Sequence, residues 1–562
     1  MEEEQNEPLR NVRHPLRAAA AWDFVAKLEN GWALDWSVSV LGTRGPGTQQ
    51  PLQSSGPDQG LLLFNGCLWR GRQMELSETA NDGAALFAAL RGCSSSAETL
   101  ALFRSLCGPF VLVYIQGHRL YFARDAFGRR SLLWAMKDGC LYLASLACSY
   151  ASELSLEWRE VPSGVLFQAS LGPEAMEMNA YWLRSGLETQ PLADMAQYLE
   201  FGAIGEPDSA PPLLAPCKEL DNLDSRPSPS LPLDALMQTW CEYLATELAA
   251  LDRLLKQALA RRLATLRHAS PAAGRDGKTT GSKNVTLLFS GGLDSLTLAI
   301  YAHEALEELN LNTSIDLLNV AFRQDNGSWD VPDRLLGVQA AAALKQRHPE
   351  RCWRFVRVNV EKEELSSTRE EHISGLLQPC ASVLDDSLGC ALFFAARGRG
   401  LLLSERGEEE VYESPARLVL SGSGADELLG GYSRHRQRFQ HHGWAGLESE
   451  LALEAGRLGR RNLGRDDRVI ADSGRESRLP FLDEELVAFL SSLPLAKRLD
   501  YRLPRGVGEK LLLRCLLWQK GWGELSLKPK RALQFGSRIA KLESKVESGH
   551  HICPRLSGVR ED

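Results

Sequence analysis

One stretch constrains this chain more than any other: VTLLFSGGLDSLTLAIYA, from Val285 to Ala302, where a short apolar run passes into helix-forming residues through hydroxyls and glycines. Val285 to Phe289 suits a strand covered on both faces, and Leu296 to Ala302 resumes apolar spacing in residues that favour helix. Ser290, Gly291, Gly292, Asp294 and Ser295 lie between them. Glycines without a Cβ let the backbone approach an anion, while the free N–H groups of a helix start and two hydroxyls supply donors. The loop therefore suits a phosphate. Asp294 fits beside that phosphate only with a divalent cation between them, which makes it a candidate Mg2+ ligand. A bare SGG is equally well a plain turn; the strand before and the helix after give SGGLDS its weight. DGKT at Asp276 to Thr279 invites comparison with a Walker A loop, but Ala272 stands where that motif needs glycine, and a helical segment precedes it instead of a strand.

At 562 residues with 44% hydrophobic content, the chain is expected to hold more than one domain. A formal charge of −8 argues against nucleic acid as the main partner. There is no apolar run of the roughly 18 residues that a membrane span needs, so no membrane partner is expected. MEEEQNEPLRNVRH lacks the apolar core of a signal peptide, and twelve cysteines without CxxC pairs suit reduced thiols. The expected location is cytoplasmic.

The first ~180 residues read as strands at Trp32–Leu41, Leu61–Trp69, Phe110–Ile115, Arg119–Arg124 and Leu141–Ala144, with helices near Asp82–Leu90 and Ala97–Leu106. This pattern suggests an α+β layered domain over 1–190. Gly205 to Pro232 holds seven prolines and marks a linker over 191–234. Ala235 to His268 spaces Leu236, Trp240, Leu244, Leu248, Leu251, Leu255, Leu259 and Leu263 as one long amphipathic helix. A polar loop spans Ala269 to Asn284. Strands at Val285–Phe289, Ile315–Phe322, Trp353–Val360 and Arg417–Leu420 then alternate with helices, which predicts an α/β doubly wound parallel sheet over 235–545, followed by a polar tail at 546–562. Ligands of such sheets gather at the carboxyl ends of the strands. Ser290 to Ser295, Val320 and Ser421 to Asp426 should therefore line one nucleotide pocket.

RGPG (Arg44–Gly47), FNG (Phe64–Gly66) and YFARDAFGRRSLLW (Tyr121–Trp134), in this order, resemble the class II glutamine amidotransferase domain of asparagine synthetases. The resemblance implies a vestigial glutamine site: Arg44 for the carboxylate, Asn65 and Gly66 for the oxyanion, Asp82 for the amine. That family uses an N-terminal cysteine as nucleophile; here Glu2 stands at that position and the first cysteine is Cys67. Either the glutaminase half is inactive, as is expected of the chain as written, or the start of the chain has been lost or mispredicted.

SGGLDS resembles the pyrophosphate loop of ATP pyrophosphatases. SGSGADELLGGYSRHR (Ser421–Arg436), RLPFLD (Arg478–Asp483) and KPKRALQFGS (Lys528–Ser537) resemble asparagine synthetase segments. The whole chain resembles the asparagine synthetase domain-containing proteins of animals and fungi, a divergent branch of that family. This implies ATP held by Phe289, Ser290, Gly291, Gly292, Asp294, Ser295, Val320, Ser421 and Gly422, with Mg2+ on Asp294 and Asp426. Lys530 and Asp294 are the implied catalytic residues, with Lys530 stabilising charge on phosphate oxygens. The implied substrates are ATP, an amino-acid carboxylate (aspartate) and ammonia; no protein partner is indicated. Ser423 departs from the family, which has glutamate there to take a proton from the attacking amine. Glu427 is its conceivable substitute. Two readings follow, an ATP-dependent amide-forming ligase and a nucleotide-binding pseudoenzyme with a regulatory or scaffolding role.

Overall fold

A computed structural model describes residues 21–27, 33–39, 50–54, 60–72, 74, 76, 81–137, 140–147, 156–171, 176–183, 226–268, 284–403, 407–542 and 551–556. Arg44, Glu2, most of the expected linker and the loop 269–283 lie outside them.

The N-terminal strands are β1 (Ala21–Lys27), β2 (Ala33–Ser39), β3 (Leu52–Gln53), β4 (Gly60–Gly66), β5 (Phe110–Gln116), β6 (Arg119–Arg124), β7 (Leu133–Lys137), β8 (Cys140–Ala144), β9 (Arg159–Glu160), β10 (Val165–Leu171) and β11 (Met176–Trp182). β1 and β2 pair with each other. Six others form an antiparallel sheet in the order β11-β10-β6-β5-β4-β3. Successive side chains of a strand point to opposite faces, and this sheet sorts them accordingly. Leu62, Phe64, Leu112, Tyr114 and Tyr121 join Leu86, Phe87, Leu90, Leu102 and Phe103 of the helices Asp82–Arg91 and Ser96–Ser105. Leu61, Val111, Ile115, Leu120, Phe122 and Phe167 face the other way, onto Trp134 and Val161 beside the small sheet β8-β7-β9. The expected α+β layering is thus helices, a six-stranded sheet and a three-stranded sheet. β7, β9, β10 and β11 escaped the sequence reading because they are short or interrupted by Gln168, Ser170 and Asn179.

The predicted long helix is two helices, Leu233–Tyr243 and Ala245–Leu263, broken at Leu244. All eight apolar positions named for it are buried. The second sheet contains β12 (Val285–Leu288), β13 (Ile315–Phe322), β14 (Trp353–Val360), β15 (Arg399–Leu403), β16 (Glu409–Glu413), β17 (Leu418–Leu420) and β18 (Glu476–Arg478), in the order β16-β15-β14-β13-β12-β17-β18. β14-β13-β12-β17-β18 run parallel, and the hairpin β15/β16 adds an antiparallel edge. The sheet is therefore mixed at one edge. It also has a fifth parallel strand, Glu-Ser-Arg, whose polar residues gave hydropathy nothing to detect. Strand order reverses between β12 and β17, so the loops after these two strands open side by side.

The segment Arg124–Ser131 ties the two sheets together. Arg124 donates to Glu160 (2.8 Å), to the Arg130 carbonyl (2.7 Å) and to the Gly459 carbonyl (3.1 Å). Arg468 donates to the other oxygen of Glu160 and to Ser131 Oγ (2.9 Å). Arg130 pairs with Asp467 (2.9 Å) and with Glu476 of β18, and Arg129 bonds Glu484 and the Leu482 carbonyl. The arginines and Glu160 are almost fully buried, so each charge depends on its partner. The tail packs too: Cys553 N–H donates to the Ala381 carbonyl (2.7 Å), and Arg555 pairs with Asp386 (3.1 Å) at the start of the helix Val383–Ala396. Among the described residues no helix is long and apolar enough to cross a membrane.

Glu160→Ala would leave Arg124 and Arg468 without their shared counter-charge. It is expected to destabilise the protein by about 3–5 kcal/mol, the usual cost of breaking a buried pair, read as a lower urea midpoint. An unchanged midpoint would show that the pairs contribute nothing.

Candidate active site

After β12, Phe289 is buried, with its carbonyl accepting from Asn319 Nδ2 (2.8 Å) and its ring edge-on to Phe355. Gly292 caps the helix Leu293–Glu308 without any side-chain cap, and Asp294 lies in the first turn. Ser295 Oγ donates to the Gly292 carbonyl (3.1 Å) and sits 3.5 Å from Ser290 Oγ. Gly291 has φ +76°, and a Cβ there would come within 2.6 Å of the Leu336–Gly337 backbone in the helix Pro332–Arg347. Its bareness thus serves helix packing as well as the left-handed turn, a reason different from the anion approach expected of it.

The loop after β17 meets this one. Ser421 N–H donates to the Arg478 carbonyl (3.0 Å) in β18, and the Ser421 and Ser423 hydroxyls are 3.0 Å apart. A Cβ on Gly422 would lie 3.1 Å from Asp294 Cβ, so the two loops are in contact. Gly424, with φ +97°, opens the short helix Ala425–Leu429, which carries Asp426 and Glu427.

Two carboxylates and two ammoniums meet where the loops touch. Lys510 Nζ binds both oxygens of Asp294 (2.7 and 2.6 Å) and Asp426 Oδ1 (2.6 Å). Lys530 Nζ binds Asp426 Oδ2 and lies 3.9 Å from Asp294 Oδ2. Burial alone would raise the Asp426 pKa, but Lys510 and Lys530 outweigh it and hold the carboxyl below its usual range. Burial likewise opposes the charge on Lys530, and Asp426 and Asp294 overcome it to raise its pKa. Gly431 makes this packing possible: a Cβ there would overlap the Asp426 carboxylate and press on Lys510 Cε.

Burial and the neighbouring Asp426 charge push Glu427 up to about 7. Tyr432 Oη donates to it (2.7 Å), as does Asn462 Nδ2 (3.4 Å). Burial also brings Asp333 up to about 7, against the pull of Lys530 and Arg531.

The structure brings Ser290, Asp294, Ser295, Ser421, Gly422, Asp426 and Lys530 to one sheet end. Val320 is level with Ser290 along the strands, two residues past Leu318, the partner of Leu288. Its side chain nevertheless lies in the apolar cluster of Leu318, Phe322 and Val358. In the N-terminal sheet, Asn65 is exposed at the end of β4 and Gly66 packs against Pro109 and Phe110. Asp82 is buried and accepts from Leu68 N–H (3.0 Å), so one of its oxygens anchors the chain after that loop. Cys67 is buried within hydrogen-bonding reach of Arg478. Lys510 escaped the sequence reading. Its signal was the stretch LPRGVGEKLLLR, which resembles the family but by itself gives the lysine no role, and its φ of +54° depends on tertiary contacts that include its N–H bond to the Leu429 carbonyl (3.1 Å).

The asparagine synthase family model matches residues 277–445 and 438–520. Asparagine synthetase domain-containing protein 1 of Gallus gallus is 38% identical, covering 93% of this chain and 92% of its own length. The Homo sapiens protein of the same name is 36% identical over 93% and 90%. Among solved structures, a B. subtilis glutamine phosphoribosylpyrophosphate amidotransferase complexed with ADP and GMP gives a TM-score of 0.20 at 14% identity, covering 47% of this chain and 48% of its own.

Lys510→Met should remove one of the two cations that depress the Asp426 pKa, the one with the larger effect. A depressed carboxyl stabilises the fold above its unfolded pKa of about 3.9, and that stabilisation is lost as pH falls through the folded value. The variant is therefore expected to be less stable than wild type at pH 7, with the gap closing in acid below about pH 4. Urea midpoints measured across pH check this; a gap independent of pH would contradict the pairing.

Proposed function

The chain belongs to the family of asparagine synthetase domain-containing proteins, and from that premise we propose that it binds ATP with Mg2+, adenylates an amino-acid carboxylate such as aspartate, and forms an amide with ammonia. The observation that carries this reading is the contact between the loops after β12 and β17, which sets Asp294 and Asp426 against Lys510 and Lys530. Two carboxylates on adjoining loops, flanked by the Ser290 and Ser421 hydroxyls, fit a hard cation that takes oxygen ligands. Asp294 and Asp426 would hold it. Bound there, Mg2+ would supply charge neutralisation to the phosphate oxygens.

The substrate carboxylate attacks the α-phosphorus, the bond to the bridging oxygen breaks, and pyrophosphate leaves. Lys530 and Lys510 stabilise the charge gathering on phosphate oxygens, exchanging part of their pairing with Asp426 and Asp294 for it. Ammonia then attacks the acyl carbon, AMP departs, and the amine proton must be taken up. Ser423 has no base of its own beside it; its hydroxyl pairs with that of Ser421. Glu427, near 7, has the protonation balance of a general base, but its side chain is buried against Tyr432 and Asn462. Adenylation is accordingly better supported than amide formation. Ammonia is favoured over glutamine as nitrogen source, because Cys67, the cysteine beside Asn65 and Gly66, is buried against Arg478. Ser423 also favours a second reading, a nucleotide-binding pseudoenzyme that acts on other proteins as a regulator or scaffold.

Pyrophosphate–ATP exchange separates the two. Exchange in Mg2+ is expected with aspartate or another amino acid, and Lys530→Met should slow it about 10²–10³-fold, as removal of a stabilising group typically does. No exchange with any amino acid would favour the pseudoenzyme.

Ser423→Glu should recover part of the roughly 10²–10⁴-fold that a positioned base is worth in amide formation, leaving exchange unchanged. Equal amide rates in variant and wild type would argue against a missing base.

A further inference from the structure

The helix Leu293–Glu308, with Asp294 in its first turn, carries His303 and Glu307 one turn apart near its other end. There they meet His348 and Glu350, in the turn between the helix Pro332–Arg347 and β14. This is the edge where the parallel strands begin, opposite the loops described above. His303 Nε2 is 3.2 Å from Glu350 Oε1 and 3.5 Å from Glu307 Oε2, and His348 Nδ1 is 3.6 Å from the same Glu350 oxygen. The ligand atoms of His303, His348 and Glu350 all lie within 4.8 Å of one another. A tetrahedral ion bound by nitrogen and oxygen at about 2.0–2.1 Å needs ligand atoms about 3.3–3.4 Å apart, which the 3.2 and 3.6 Å separations of the two rings from Glu350 bracket.

An ordinary imidazolium–carboxylate pair explains the cluster less well. Arg351 Nε donates to His303 Nδ1 (3.3 Å), and a ring that accepts there is neutral, since an imidazolium has no lone pair to offer. A neutral, buried ring has one N–H for two carboxylates. The two imidazoles have centroids 4.1 Å apart but are tilted by 48°, so they converge without stacking flat. The side chains of Glu307 and Glu350 are half exposed, leaving the cluster open to ions from solvent.

We propose that His303, His348 and Glu350 form a binding site for Zn2+ or a similar divalent ion, with solvent in the remaining position, tying the far end of the Asp294 helix to the start of β14. Two imidazoles and one carboxylate, with a position left for water, are a donor set that suits zinc. His303 ligates through Nε2 and His348 through Nδ1. The His303 ring proton then moves to Nδ1, and the Arg351 contact is given up. Arg351 keeps the carbonyls of Leu311 (3.0 Å) and Thr313 (2.9 Å), both closer than the ring.

The test uses the full chain, stripped with a chelator and titrated with Co2+ in the absence of nucleotide. One equivalent is expected to give the intense visible d–d bands of a tetrahedral site, to be displaced by Zn2+, and to raise the melting temperature. His348→Gln and Glu350→Gln, both at solvent-accessible positions, should lose the bands and the thermal shift. His442→Gln, at an exposed histidine elsewhere, should keep both. No stoichiometric binding, weak octahedral spectra, or full tetrahedral binding by both His348→Gln and Glu350→Gln would overturn the assignment.

Discussion

Two carboxylates and two ammoniums, drawn from four separate segments, hold the loops after β12 and β17 against each other. Asp294 enters from the first turn of one helix, Asp426 from the first turn of another, Lys510 from just before a third, and Lys530 from the C-terminal segment. Such charges cost several kcal/mol each to bury alone and are tolerated because they compensate one another. The surrounding glycines follow from this. Gly422 lets the loops touch and Gly431 leaves room for the Asp426–Lys510 pair. The same balance explains how the site could exchange lysine–aspartate pairing for pairing with phosphate and a cation, since neither set of charges is complete without the other.

A second group of buried charges does comparable work between the sheets. Arg124, Arg129 and Arg130 belong to a single motif, and each reaches the C-terminal half of the chain. Arg130 and Arg478 share Glu476, so β18, the strand beside β17, is bound to the N-terminal sheet by the pair that satisfies its own glutamate. The loop bearing Ser421 donates to Arg478 in that strand. A continuous run of partners therefore links the motif Arg124–Ser131 to the loop after β17.

The N-terminal half is a layered sheet, and the described residues named for a glutamine site have separate surroundings there. Asn65 is exposed, Asp82 braces Leu68, and Cys67 lies beneath Arg478. In this arrangement the half contributes structure through its arginines. The chemistry proposed for the chain resides at the other sheet.

Periodicity alone determined a good deal. Alternation in β4, β5 and β6, the apolar runs of β12 to β14 and β17, and the eight buried positions of Leu233–Leu263 could be read directly, because burial on a strand or helix face repeats with the backbone. The loops SGGLDS and SGSGADE were legible by their glycines and hydroxyls, and the doubly wound order put them at one sheet end. Tertiary structure decided the rest. β18 could not be read because its charged residues are buried as partners, Glu476 of Arg130 and of Arg478, and Lys510 because an ordinary lysine becomes part of a site only when a left-handed turn carries it between two distant aspartates. The level of Val320 with Ser290 followed from its place on β13, and only the packing shows its side chain among Leu318, Phe322 and Val358. Hydropathy records what a residue loses on leaving water; it does not record which distant charge will be there to receive it.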